Sequence, residues 1–239
     1  MKGIHGQLKL KVIFFLKEGF MKGIIFDMDG VLIDSEPQQF EVTIKTLNIF
    51  GVKIKAEELQ RFVGTDNLEI FKFFQKKYNL DVSAESLLEI KTKMIVDEMK
   101  NHLHVMPKFE EMKKGLKNIN GVKYAIASSS HRISLDIVIK QLGWEDFLTC
   151  SVSGDEVSCA KPSPEIYHKA ASLLGLDEKD CLVLEDSTNG IQSALDAGME
   201  VVGFSSPNSK NQDFSKVRYK ISSLNDFPAF VTKFANLSN

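Results

Sequence analysis

Two aspartates two residues apart, Asp27 and Asp29, follow the apolar run Gly23-Ile24-Ile25-Phe26, and Gly30 closes the group. Buried strands are poor in carboxylates because a buried charge without a partner is costly. An acidic pair where such a strand meets the surface therefore needs a cation or a reaction to explain it. Gly30 lets the chain turn sharply or approach a ligand closely. Farther along, Ser128-Ser129-Ser130 ends the run Val122–Ala127, and Glu185-Asp186-Ser187 ends Cys181-Leu182-Val183-Leu184. Between them lies Ala160-Lys161-Pro162-Ser163-Pro164, a lysine in a proline-stiffened loop ahead of a helix. Taken singly, Ser128 reads as a helix cap, Lys161 as a solvated side chain and Glu185-Asp186 as a surface loop. Taken together they are acids, hydroxyls and one balancing cation.

The elements that must position them alternate. After Pro107 the pattern predicts a helix over Phe109–Leu116, a strand over Val122–Ala127, and a helix near Ile133–Leu142. A short strand near Thr149–Ser153 and a helix from Pro164 to Leu174 come next. The strand Cys181–Leu184, a helix to Ala197 and the strand Glu200–Phe204 complete the series. Such alternation predicts an α/β fold with a parallel sheet covered on both faces, in which ligands sit beyond the carboxyl ends of the strands. The acids after Phe26, the serines after Ala127 and the acids after Leu184 then share one sheet edge.

Residues 36–103 carry helical signals instead. Asp66 and Glu69 have capping-box spacing, with Leu68, Phe71, Phe74 and Tyr78 on one stripe; Ser83 opens another helix, with Leu87, Ile90 and Met94 on one side. These stripes read as core. The pattern predicts a helical domain, 36–103, inserted into a core made of 21–35 and 104–239, with Pro37 and Pro107 near its borders.

A chain that is 43% hydrophobic and 26% charged has the means to bury a core, and a net charge of -2 gives no footprint for nucleic acid or an anionic membrane. The apolar run Val12–Leu16 is much shorter than a membrane span and meets Lys17-Glu18 rather than a small-residue cleavage site. Met21-Lys22-Gly23 repeats the opening Met1-Lys2-Gly3, and first strands of α/β domains often follow the initiator closely. Residues 1–20 are therefore expected to be a leader, with Met21 the physiological start. Cys150, Cys159 and Cys181 are odd in number and lack metal-site spacing, which predicts free thiols in a reducing cytoplasm.

The set Asp27-Met28-Asp29-Gly30-Val31, Ala127-Ser128-Ser129-Ser130, Lys161-Pro162-Ser163-Pro164 and Glu185-Asp186-Ser187-Thr188-Asn189-Gly190-Ile191 resembles the four motifs of the haloacid-dehalogenase-like superfamily. The similarity is closer to its phosphatase and β-phosphoglucomutase branch, and it runs from Met21 to the C-terminus. The resemblance implies a Rossmann-like parallel sheet with a helical-bundle cap. It also implies Asp27 as the nucleophile that forms an aspartyl-phosphate and Asp29 as the general acid and then base. Mg²⁺ is the implied cofactor, held by the side chains of Asp27 and Asp186 and the Asp29 carbonyl, with Glu185 contributing directly or through water. Ser128, the amides after it (including that of Ser129) and Lys161 would hold the phosphoryl oxygens. Gly190 would allow close helix packing, and His131 is expected on the loop surface.

By the same resemblance the cap supplies leaving-group contacts, for which Ser35, Gln39, Gly64, Thr65 and Asn67 are the candidates. β-Phosphoglucomutases usually carry a histidine where Gln39 stands and a Lys-Gly-x-x-Arg-like segment where Val63-Gly64-Thr65-Asp66-Asn67 stands. A mutase must grip a second phosphate, whereas a phosphatase need not. The expectation is a Mg²⁺-dependent phosphatase of a small phosphorylated metabolite, a sugar phosphate or a phosphoglycolate-like compound, acting as a monomer or weak homodimer. A β-phosphoglucomutase with an unusual cap and a non-catalytic phospho-accepting or binding module are the alternatives. Dehalogenation fits poorly, because it needs no metal.

Overall fold

The run Gly23-Ile24-Ile25-Phe26 becomes β1 (Gly23–Phe26), a fully buried strand inside a six-stranded sheet. In this computed structural model, residues 21–62, 65, 67–206, 209 and 211–235 are described. β1 is followed by α1 (Glu36–Ile49), α2 (Ala56–Leu59), α3 (Asn67–Tyr78), α4 (Ala84–Asn101) and α5 (Phe109–Leu116). Then come β2 (Lys123–Ala127), α6 (Arg132–Gln141), β3 (Cys150–Val152), α7 (Glu165–Leu174), β4 (Cys181–Glu185) and α8 (Thr188–Asp196). β5 (Glu200–Phe204), β6 (Tyr219–Ile221) and α9 (Phe227–Ala235) end the described chain. The strand order is β3-β2-β1-β4-β5-β6, and every pairing is parallel.

Alternation along each strand sorts the core into two faces. Ile24 and Phe26 join Tyr124, Ile126, Leu182 and Leu184 on one side, packed on α5, α6 and α9 through Phe109, Met112, Leu135, Val138 and Phe227. Ile25 joins Ala125, Ala127 and Val183 on the other, packed on α7 and α8 through Ile166, Tyr167, Ala170, Ile191 and Ala194. The insert between β1 and β2 has its own apolar cluster, built from Leu47, Leu59, Phe71, Phe74 and Leu87. Ser83 caps α4 by accepting from the Ser86 amide at 3.1 Å, as its place before the helix predicts. The Asp66 half of the other capping signal lies outside the described residues, as do residues 1–20.

The chain enters and leaves the insert side by side. The Asp34 amide donates to the His104 carbonyl at 2.8 Å and the Met106 amide to the Leu32 carbonyl at 3.0 Å, while the Gln38 side-chain amide donates to the His102 carbonyl. Two elements were not foreseen. β6 is a three-residue edge strand beyond a long loop, and α9 follows it. Among the described residues, no helix is long and apolar enough to cross a membrane.

Phe26 is fully buried, with its ring centroid 5.2 Å from that of Trp144 and 5.9 Å from that of Phe227. Phe26→Ala is expected to lower the unfolding free energy by about 3–5 kcal/mol, read by urea denaturation followed through Trp144 fluorescence. A loss under about 1 kcal/mol would show that this cluster does not carry the core.

Candidate active site

The register of the sheet brings the charged residues together. Phe26 pairs with Ile126 on β2 and with Leu184 on β4, so the next residue of each chain reaches the same edge. The Asp27 amide extends the ladder by one bond, donating to the Leu184 carbonyl at 3.0 Å. Lys161 arrives from the loop before α7. Its Nζ donates to Asp27 Oδ1 at 2.6 Å, Glu185 Oε1 at 2.9 Å, the Tyr167 hydroxyl at 3.0 Å and the Ala127 carbonyl at 3.2 Å. All of these groups are almost wholly out of water: the side chains of Lys161, Asp27 and Glu185 are 7%, 10% and 1% exposed.

Three carboxylates meet here, since Asp186 lies beside the pair. Burial pushes Asp27 up to about 8, with Glu185 and Asp29 adding to the rise and Lys161 opposing it. Burial, then Glu185 and Asp27, also hold Asp186 well above the usual carboxylate range. Burial alone would lower Lys161, but the Asp27 and Glu185 carboxylates hold its ammonium well above an ordinary lysine. Burial likewise raises the Tyr167 phenol, which stays protonated. The Lys161 ammonium thus offsets only part of the negative charge, and the remainder is what a divalent cation would cancel.

The donor set fits such an ion. Asp27, Glu185 and Asp186 each bring a carboxylate oxygen into a group whose members lie within 4.8 Å of one another, and a hard divalent cation takes hard oxygen ligands. The three acids are not equivalent. Both Glu185 oxygens are engaged by the protein: Oε1 accepts from Lys161 and Tyr167, and Oε2 accepts from the Ser187 amide at 2.7 Å and its hydroxyl at 3.0 Å. Asp186 is steadied by one hydroxyl, that of Ser206 at 3.2 Å. Two glycines keep these acids in place. A Cβ on Gly30, whose φ is +82°, would sit 2.1 Å from Asp186 Oδ2, and one on Gly190 would sit 1.4 Å from Glu185 Oε1. The close approach expected at Gly190 is thus one of α8 to the Glu185 carboxylate at the end of β4.

Asp29 is held by two hydroxyls. Ser35, at the entry to the insert, donates to Oδ1 at 2.6 Å, and Ser130 donates to Oδ2 at 2.8 Å. Ser35, a candidate for leaving-group contact, joins the start of the insert's first helix to the second acid of the pair. Ser128 is fully buried, and its hydroxyl accepts from the Ser130 amide at 3.1 Å, shaping the turn before α6; Ser129 is exposed. His131 is exposed, with Nδ1 2.7 Å from Asp155 Oδ1, which matches the surface reading.

The insert residues are less tightly drawn in. Gln39 is half-buried on α1, Thr65 is exposed with its amide on the Phe62 carbonyl at 2.8 Å, and Gly64 lies outside the described residues. Exposed Asn67 opens α3, and its Oδ1 accepts from Lys91, a buried lysine of α4. Lys91 is a basic group of the insert that the reading of segment 63–67 missed. Tyr167, Ser130 and Ser206 were missed too. Of these, only Ser130 stood inside a motif, as the third serine after β2.

Comparison with known proteins bears on the family and the fold. The sequence profile of the haloacid dehalogenase-like hydrolase family matches residues 24–204. A phosphoglycolate phosphatase of Neisseria gonorrhoeae is 30% identical over 77% of this chain and 79% of its own. A phosphorylated carbohydrates phosphatase of Thermotoga maritima is 28% identical over 75% of this chain and 83% of its own. Among solved structures, CbbY of Rhodobacter sphaeroides in complex with xylulose-(1,5)bisphosphate superposes with a TM-score of 0.76. It is 21% identical, over 87% of this chain and 96% of that one, which is a likeness of fold.

Because burial and the neighbouring Glu185 and Asp27 carboxylates disfavour a charge on Asp186, Asp186→Asn is expected to raise the melting temperature of the metal-free protein. It should also weaken Mg²⁺ binding by at least about tenfold in isothermal titration calorimetry. Unchanged Mg²⁺ affinity would remove Asp186 from the ion's ligands.

Proposed function

The chain belongs to the haloacid dehalogenase-like hydrolase family, and from that premise we propose that it is a Mg²⁺-dependent phosphatase of a small phosphomonoester. The observation that carries this reading is the buried Asp27 carboxylate at the end of β1, facing the Lys161 ammonium with Asp186 alongside. We take residues 36–103 as the cap over this site. Asp27, Asp186 and the Asp29 carbonyl would hold Mg²⁺, and Glu185, its oxygens engaged by Lys161, Tyr167 and Ser187, would act through its charge or a water. When bound, the ion would supply positive charge that offsets the repulsion between the Asp27 carboxylate and an anionic phosphoryl group.

Asp27 Oδ attacks phosphorus in line, a new P–O bond forms on Asp27, and the bond to the leaving oxygen breaks. Asp29 delivers the proton that the leaving oxygen needs. A water then attacks the phosphorus of the aspartyl-phosphate, Asp29 takes its proton, and Asp27 is released with orthophosphate. The Lys161 ammonium, already against Asp27 Oδ1, is placed to offset charge on the transferring group, and Ser128 with the amide of Ser129 would bind its oxygens. Two protein-bound hydroxyls on Asp29 suit a group that must return to the same place twice.

Hydrolysis rather than transfer to a second sugar hydroxyl is favoured by the insert. Thr65 and Asn67 are neutral, and the Lys91 ammonium is engaged with Asn67 rather than presented as a grip for a second phosphate. A sugar phosphate or a phosphoglycolate-like acid is the substrate class, in keeping with the phosphatases of T. maritima and N. gonorrhoeae to which the chain is similar.

A phosphomonoester panel with Mg²⁺ should release orthophosphate, and EDTA should stop it. Conversion of β-glucose 1-phosphate without phosphate release would instead indicate a mutase. Asp27→Asn is expected to cut turnover by at least about a thousandfold with the circular dichroism spectrum unchanged, and undiminished turnover would refute the assigned nucleophile. For Asp29→Asn the expected loss is ~10²–10⁴-fold, from the proton transfers it makes.

A further inference from the structure

Tyr167 lies on α7, six residues beyond Lys161, and its side chain is fully buried. Most of what it touches is apolar core, where an aromatic residue needs no hydroxyl: Ile166, Ala170 and Ala171 pack with it against Ile25, Ala125 and Val183. Its hydroxyl nevertheless has a place in the site. It accepts from Lys161 Nζ at 3.0 Å and donates to Glu185 Oε1 at 3.3 Å, and the ammonium lies 4.8 Å from the centre of the ring.

We propose that Tyr167 is a positioning residue for the reaction, fixing the Lys161 ammonium between Asp27 and Glu185. The inference rests on the phosphatase reading, because it assigns Tyr167 a part in that site.

An ammonium has three N–H bonds, and four acceptors surround this one: Asp27 Oδ1, Glu185 Oε1, the Ala127 carbonyl and the Tyr167 oxygen. During phosphoryl transfer Asp27 becomes an acyl phosphate, and its carboxyl oxygens, no longer those of a carboxylate, are weaker partners for Lys161. The Ala127 carbonyl, Glu185 and Tyr167 do not change covalently. They hold the ammonium where the transferring oxygens need it, and a lysine side chain otherwise has four flexible carbons over which to wander. The phenol secures both ends of the Lys161–Glu185 pair, since it meets the cation with its lone pair and the carboxylate with its proton. Phenylalanine would keep the ring and its packing but lose both bonds, so a purely space-filling tyrosine predicts no effect of that exchange.

The test compares wild-type and Tyr167→Phe protein with the panel substrate that the wild type hydrolyses fastest. The expected result is a kcat about tenfold lower with KM raised no more than several-fold, because a misplaced charge affects the transition state more than ground-state binding. Calorimetry of orthophosphate binding in the presence of Mg²⁺ should show an affinity several-fold weaker in the variant. Equal kcat and equal orthophosphate affinity would overturn the proposal. If Tyr167→Phe melts more than about 5 °C lower, both measurements are repeated at a temperature where circular dichroism shows both proteins fully folded, and a loss that vanishes there also overturns it. A wild type inactive on every panel substrate would count against the phosphatase reading instead, and the orthophosphate comparison would still decide the role of Tyr167.

Discussion

The rest of the structure depends on one buried ammonium among carboxylates. Desolvating Lys161, Asp27 and Glu185 is costly for each alone, and truncating one partner of such a set strands the others without compensation. Lys161 at 2.6 Å from Asp27 and 2.9 Å from Glu185 makes the burial tolerable. That contact ties together the end of β1, the end of β4 and the loop before α7. Lys161 is 134 residues from Asp27 and 24 from Glu185 in the sequence, so the sheet register must be correct for the contact to form at all. Fold and site are, in this sense, one constraint.

A second consequence is a division of labour among the acids. Glu185 has both oxygens occupied by protein donors, Asp186 has the Ser206 hydroxyl, and Asp29 has the hydroxyls of Ser35 and Ser130. Similar side chains are thereby given different surroundings, the ordinary means by which one site separates charge-holding from proton-carrying groups. Ser35 adds a mechanical link, because it stands at the entry to the insert.

Much of this was legible from residue patterns. Gly23–Phe26 and Cys181–Leu184 are short apolar runs that end abruptly in acids, and a parallel sheet forces such ends onto one edge. Asp27 and Asp29 stood out because acids in that place conflict with burial, whereas Lys161, Glu185 and Asp186, unremarkable singly, were named from their order beside that pair and from the motif resemblance. Tyr167 could not, since an aromatic at helical spacing among Ile166, Ala170 and Leu174 reads as core, and most of it is core. Lys91 was hidden in the same way, in a helix whose other lysines are surface residues. β6 escaped because three residues, one of them Lys220, give too short an alternation to recognise, and the strand's identity comes from pairing with β5. The space around Gly190 is set by the side chain of Glu185 at the end of the preceding strand, which no local pattern records.

The central claim is that the Asp27 carboxylate becomes phosphorylated during turnover. Borohydride reduces an acyl phosphate to an alcohol, so protein quenched during turnover, treated with borohydride and digested should yield the peptide containing residue 27 with homoserine in place of aspartate. Mass spectrometry should find that conversion at Asp27 only when Mg²⁺ and a substrate are both present. Conversion at another carboxylate, or none at Asp27 while orthophosphate is being released, would contradict the account.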